Sequence, residues 1–178
     1  GEEVVSDLDL VDAAGKEIAH EVRVPVSVTD GKLNIEFSTE IDNASISGIV
    51  ISQAEEKTDT STSPVYAVNC GGDQYTDSSG LTYKADENFT YGTISGTDAD
   101  IEGTEEDPVY QSLRYGDFSY DIPLENGDYQ VTFKFAENYW SSSDQRVFDV
   151  IMEGEEVVSD LDLVDAAGKE IAHEVRVP

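Results

Sequence analysis

The chain has 178 residues and a formal net charge of −29, from 39 Asp+Glu against 10 Lys+Arg. So acidic a surface repels phosphate backbones and anionic lipids, which argues against nucleic-acid and membrane-surface partners. No run of 18 apolar residues exists to insert into a membrane, and the single Cys excludes an intrachain disulfide framework or a Cys-based zinc site. At 38% hydrophobic the chain holds enough apolar material for one core, and 14 Gly, nine Tyr and six Phe point to a β-rich protein built for outside the cell. No signal peptide opens it; it starts at Gly1 as a stretch from mid-sequence would.

Residues 1–25, GEEVVSDLDLVDAAGKEIAHEVRVP, recur letter for letter as residues 154–178, an offset of 153. Chance does not give such a run, and divergence would have left substitutions. The period therefore reads as a near-identical tandem array or a permuted unit carrying one end twice. In an array, the two copies belong to two successive domains. Residues 1–52 are then the back of one repeat and 65–178 the front of the next. The polar stretch 53–64, QAEEKTDTSTSP, has linker composition. In a permuted unit, the two copies compete for one place.

In chain order, residues 8–20 carry Leu, Val and Ala at roughly helical spacing, as do their counterparts 161–173, and each predicts a short helical turn. Pro25 in VRVPVSV has no N–H to donate and predicts an edge strand or a bulge. Leu33–Phe37 alternates, and Ile46–Ile51 is a denser apolar run suited to a central strand. Val65–Asn69, Phe118–Asp121, Tyr129–Phe135, Arg146–Met152 and His173–Val177 predict further strands. Asp30-Gly31, Asn126-Gly127 and Glu153-Gly154 mark turns. Many short strands with turns between them give an all-β protein, an antiparallel β-sandwich or jelly roll with short helical turns.

Reading from Val65 and wrapping back to Ser52, the motifs VYAVNCGGDQY (65–75), YGTISG (91–96), YQSLRYG (110–116), FKFAENYW (133–140) and QRVFDV (145–150) occur in an order and spacing that resemble the malectin and malectin-like domains. The resemblance spans about the whole period except the linker. It implies a malectin-like β-sandwich, a non-catalytic carbohydrate-binding role, and a site of loop aromatics with one acidic group. Matched motif by motif, the implied site residues are Tyr91, Tyr115, Tyr139, Trp140 and, from EIDNAS, Asp42. In an array Asp42 would come from the neighbouring repeat. The physics agrees: aromatic rings cover the C–H face of a pyranose, and a carboxylate accepts hydroxyl hydrogens.

Other residues have plainer readings. Tyr120, Tyr129, Phe133, Phe135 and Phe148 lie in strands and belong to the core. Cys70 reads as a small buried thiol, with Gly71-Gly72 allowing a bend that a side chain would block. His20 and His173 are one position seen twice and lack a nucleophile motif. SDLDLVD (6–12 and 159–165) places carboxylates at alternate positions, a pattern that can take Ca²⁺, but it lacks the EF-hand loop. Six carboxylates between Asp98 and Asp107 read as a solvated loop that disfavours acidic sugars. No cofactor or catalytic residue is expected. Two functions fit: a lectin-like repeat that binds neutral glycans, with neighbouring copies adding avidity, or a purely structural repeat of a cell-surface fibre or adhesin, joined by tandem linkage or strand exchange.

Overall fold

A computed structural model describes residues 22–54, 64–167 and 172–174. In chain order the elements are β1 (Val22–Val28), β2 (Lys32–Ile41), β3 (Ser45–Ile46), β4 (Gly48–Gln53), β5 (Pro64–Asn69), β6 (Tyr75–Thr76), β7 (Thr82–Tyr83), β8 (Phe89–Gly96), α1 (Asp107–Tyr110), β9 (Ser112–Pro123), β10 (Gly127–Ala136), β11 (Val147–Met152), β12 (Glu155–Leu161), α2 (Leu163–Ala167) and β13 (Ala172–Glu174). Residues 8–20 and 175–177, where a helical turn and the end of a strand were expected, lie outside the described residues, as does most of the expected linker.

Among the described residues, one sheet runs β1-β10-β4-β5, with β13 also on β10. A second runs β12-β11-β2-β9-β3, with β8 also on β9, and β6 and β7 pair as a small third sheet. All of these pairings are antiparallel. The architecture is an antiparallel β-sandwich of jelly-roll type, as the turn spacing predicts.

The core lies between the sheets and follows period-two alternation. Leu33, Ile35 and Phe37 turn inward from β2, and Tyr129, Val131, Phe133 and Phe135 from β10. Phe37 stacks on its cross-strand neighbour Phe118 at 4.5 Å within one sheet and meets Phe133 of the facing sheet edge-on at 6.3 Å. Each such side chain, fully buried, contributes about 1.5–3 kcal/mol of transfer free energy. A second cluster lies on the outer face of β4 and β5, where Val50 and Ala67 are covered by Tyr83, Ile101, Val109 and Tyr110. With both faces covered, β4 reads as a continuous apolar run rather than an alternating one.

The expected single strand Ile46–Ile51 is two strands. Ile46 pairs with Arg114 in one sheet, while Ile49 pairs with Phe133 in the other. The chain changes layers at Ser47, whose N–H and C=O are used by Lys134 and Cys70 outside either ladder. Pro25 sits on β1, which pairs only with β10 among the described residues, so the missing donor faces outward at a sheet edge. Glu153-Gly154 closes the β11–β12 hairpin, both residues at positive φ. Ten-residue β2 separates the turn end of the sandwich, at Asp30-Gly31, from the opposite end, where Asp42 lies.

Candidate functional site at the loop end of the sandwich

Four chain segments meet at that opposite end. The first is the turn after β2. There Asp42 adopts a positive φ of 58°, and its Oδ1 accepts a hydrogen bond from Asn43 Nδ2 at 3.0 Å. Ala44, next in line, offers its carbonyl to the N–H of Gly116 in β9. Ser45 then pairs with Tyr115. The sequence-predicted Tyr115 and Asp42 are thus tied to neighbouring backbone.

The second segment is β8, exposed along its whole length. Its register against β9 slips between Tyr91 and Thr93. Tyr91 and Gly92 both have positive φ, 63° and 77°. A Cβ on Gly92 would lie 2.9 Å from Phe118 Cβ and 3.1 Å from Arg114 Cγ, so glycine alone fits. This bulge swings Tyr91 out until it is 81% exposed.

Arg114 fixes the bulge from beneath. Its side chain is only 5% exposed and forms an ion pair with Asp86 at 2.7 Å. Nε and Nη2 both donate to Asp86 Oδ2, and Nη1 donates to the Tyr91 carbonyl at 2.7 Å. The guanidinium also lies 3.4 Å over the Phe89 ring. Tyr120 Oη donates to the other Asp86 oxygen at 2.7 Å. Burial is the main force pushing the Tyr120 phenol and the Cys70 thiol upward, so both stay protonated. The NCGG bend packs under the same strand: a Cβ on Gly71 would sit 2.2 Å from the Leu113 carbonyl oxygen.

The third segment is the loop after β10. Glu137 is buried, and its Oε1 accepts the backbone N–H groups of Tyr139 and Trp140 at 2.8 and 2.9 Å. One carboxylate thereby sets the course of both aromatic residues. The Tyr139 and Trp140 rings meet edge to face at 4.7 Å, with Tyr139 69% exposed. Trp140 Nε1 donates to Asp42 Oδ2 at 2.9 Å.

Arg146, just before β11, is the fourth contributor. Its side chain is 7% exposed, with Nε 3.0 Å from Glu137 Oε2 and Nη2 3.7 Å from Asp42 Oδ2. The pair with Glu137 is ionic: Arg146 Nε and Nη1 and Glu137 Oε2 are buried without a hydrogen-bond partner among the described residues. Asp42 therefore faces an indole N–H, an amide and a guanidinium, yet a carboxylate has about four lone-pair positions, so acceptor capacity remains.

The structure thus links Asp42, Trp140 and Tyr139 by direct contact and ties Tyr115 and Tyr91 to them through Ala44–Ser45 and the β8–β9 pairing. Arg114, Glu137 and Arg146 were missed in the sequence. The available signal was a charge inside or beside an aromatic strand in a chain poor in cations.

The remaining acidic motifs have structural partners. Asp162 of SDLDLVD accepts N–H groups from Val164 and Asp165 at the start of α2, and from Asp144. Glu106 of the acidic loop accepts hydrogen bonds from Tyr75 Oη at 2.7 Å and from Ser78. Those bonds, Ser78 first, hold the Glu106 carboxyl below its ordinary value, while the same contact pushes the Tyr75 phenol up to about 12. Among the described residues no group of three or more His, Cys, Asp and Glu could hold a metal, and no helix is long and apolar enough to cross a membrane.

An antiparallel sandwich that carries Asp42, Trp140 and the exposed Tyr139 together on its loops is the class of β-sandwich module the chain presents. The sequence profile of the malectin domain matches residues 64–178. The chain belongs to the malectin domain family, a non-enzymatic, carbohydrate-binding one. It is 38% identical to Malectin of Danio rerio over 122 residues, 64% of this chain and 43% of that protein. It is 36% identical to Malectin of Homo sapiens over 124 residues, 65% of this chain and 42% of that protein. A probable LRR receptor-like serine/threonine-protein kinase of Arabidopsis thaliana is 31% identical over 124 residues, 64% of this chain and 12% of that protein. The chain thus spans less than half the length of these relatives. No solved structure matches significantly.

Proposed function

We propose that the chain is a non-catalytic carbohydrate-binding repeat that takes neutral glycans through Tyr91, Tyr115, Tyr139, Trp140 and Asp42. The observation that carries this reading is the Trp140 Nε1–Asp42 hydrogen bond beside the exposed Tyr139. It sets an aromatic platform next to a carboxylate that still has lone pairs free for sugar hydroxyls. A net charge of −29 disfavours uronates and sialylated ends, so the ligand is a neutral oligosaccharide. The test is calorimetric titration of the chain with maltose, related gluco-oligosaccharides and an acidic oligosaccharide, beside Trp140→Ala. Binding of a neutral glycan that Trp140→Ala abolishes is the expected result. Absence of binding by every neutral glycan at millimolar concentration would end the proposal.

The setting proposed for this unit is an extracellular surface protein or filament built from repeated copies. The exact duplication of residues 1–25 at 154–178 supports it. In that array residues 1–52 end one repeat, 53–64 link, and 65–178 begin the next. The same duplication favours a second reading, a purely structural brick with no sugar site in use. Mass measured under denaturing conditions on the native assembly separates one long chain from assembled subunits, and the glycan titration separates the two functions.

A further inference from the structure

Two pieces of chain laid end to end complete one edge of the first sheet. Ala172, His173 and Glu174 pair with Ala136, Phe135 and Lys134. Val22 then pairs with Phe133, and the register continues without a gap to Val28 opposite Gly127. Both pieces occupy the same side of β10, since β4 holds the other. In the sequence, Ala19-His20-Glu21 immediately precede Val22 and are the duplicate of Ala172-His173-Glu174. The composite strand therefore spells the same ten residues, AHEVRVPVSV, as the unbroken run 19–28.

The C-terminal copy also supplies β12, which pairs with β11, and α2. Leu161 and Leu163 are 3% and 1% exposed and join the main core. Asp160 N–H donates to Asp149, and Asp162 caps α2. Each has an identical counterpart at Leu8, Leu10, Asp7 and Asp9. Residues 2–14 and 19–21 thus repeat, letter for letter, the described residues 155–167 and 172–174 that make these contacts. With the C-terminal copy in place, the hairpin at Glu153-Gly154 is continuous and the strand is split between Glu174 and Val22. With the N-terminal copy there, the strand is continuous and the hairpin is split. Each arrangement keeps one chain connection and gives up the other, so neither copy is excluded by its contacts.

We infer that the place on β10 and β11 taken by residues 155–167 and 172–174 is a docking site for the duplicated segment, that the N-terminal copy competes for it, and that the copy left over docks into the same place on a second copy of this chain. The partner is the chain itself, and the join is β-strand addition along β10 and β11. This inference is independent of the glycan reading. Each copy carries seven acidic and two basic residues, so like charges oppose association and added salt favours it.

The full chain tests this with a matched set of substitutions. Leu161→Asp places a carboxylate at a buried position of the C-terminal copy, and Leu8→Asp does the same to its twin. Either single variant is expected to keep its thermal midpoint within about 4 °C of the parent, because the intact copy takes the place. The double variant is expected to lose roughly 10 °C or more, or to fail to fold. If Leu161→Asp alone falls as far as the double variant while Leu8→Asp is silent, the competition is overturned. The second arm follows the parent chain alone by sedimentation velocity over a hundred-fold range of concentration at 0.05 and 0.5 M salt. A dimer or larger species that grows with concentration, and more so at high salt, is expected. A monomer at every concentration and both salts overturns docking between copies.

Discussion

Replacing Glu137 with Ala tests how the Tyr139–Trp140 loop is held. The carboxylate is 1% exposed as a side chain; it accepts two backbone N–H groups at 2.8 and 2.9 Å and forms an ion pair with Arg146, whose Nε lies 3.0 Å away. Arg146 is 7% exposed, and its other anionic neighbour, Asp42, is 3.7 Å away. Breaking a buried pair from one side costs about 3–5 kcal/mol because the remaining charge is left uncompensated. Each orphaned N–H adds about 1–3 kcal/mol if it stays dry, and less where the loop opens to water. These costs overlap, so the expected loss is roughly 3–5 kcal/mol, a large part of the ~5–15 kcal/mol that holds a domain. Urea unfolding followed by far-UV circular dichroism, and separately by the fluorescence of Trp140, the single Trp, measures it. Glu137→Leu with Arg146→Met removes both charges and is expected to recover most of the loss, giving a coupling of at least about 2 kcal/mol in the double-mutant cycle. A Glu137→Ala loss under about 1 kcal/mol, or additive single effects, would refute the buried anchor.

Trp140→Phe keeps a ring but removes the Nε1 donor to Asp42; glycan affinity is expected to fall about 3- to 10-fold by calorimetry, a net hydrogen bond's worth of ~0.5–1.5 kcal/mol. Arg114→Lys keeps the charge but cannot reach Asp86, the Tyr91 carbonyl and the Phe89 face together; a stability loss of about 1–3 kcal/mol is expected, with faster amide exchange at Tyr91–Thr93. Glu106 has its folded carboxyl held below its ordinary value near 4.5, so its contribution is full above that value and drains away as pH falls through the lower folded one. Glu106→Gln is therefore expected to flatten the loss of stability from about pH 4.5 downward, read as urea midpoints against pH.

Much of the sandwich is legible from local pattern. Tyr129–Phe135 alternates because one face meets the core, and Asp30-Gly31, Asn126-Gly127 and Glu153-Gly154 stand where chain direction reverses. The dense apolar run of β4 is legible as a central strand, and β10 and β5 flank it. What escapes is set by distant partners. Phe89–Gly96 shows no alternation because none of it is buried; its place is fixed by β9 and by Arg114. Ile46–Ile51 looks like one strand because Ser47 and Gly48, where it changes sheets, are compatible with either layer. In the proposed site, the four aromatics and Asp42 are what the motif resemblance implies, but no spacing rule brings Asp42 to Trp140, 98 residues away. Arg114, Glu137 and Arg146 were passed over because charged residues ordinarily face water. Here they are buried in pairs, and the pairing is visible only once the sheets are assembled.

The most direct test of the carbohydrate reading is ¹H–¹⁵N chemical-shift mapping of the full chain during titration with maltose. Shifts are predicted at the Trp140 indole N–H and the backbone amides of Asp42, Asn43, Tyr91, Gly92, Tyr115, Gly116 and Tyr139. The Asp30-Gly31 and Asn126-Gly127 turns, about 30 Å away along β2, should stay unchanged. A spectrum unmoved at saturating sugar, or shifts gathered at those turns, would contradict the account.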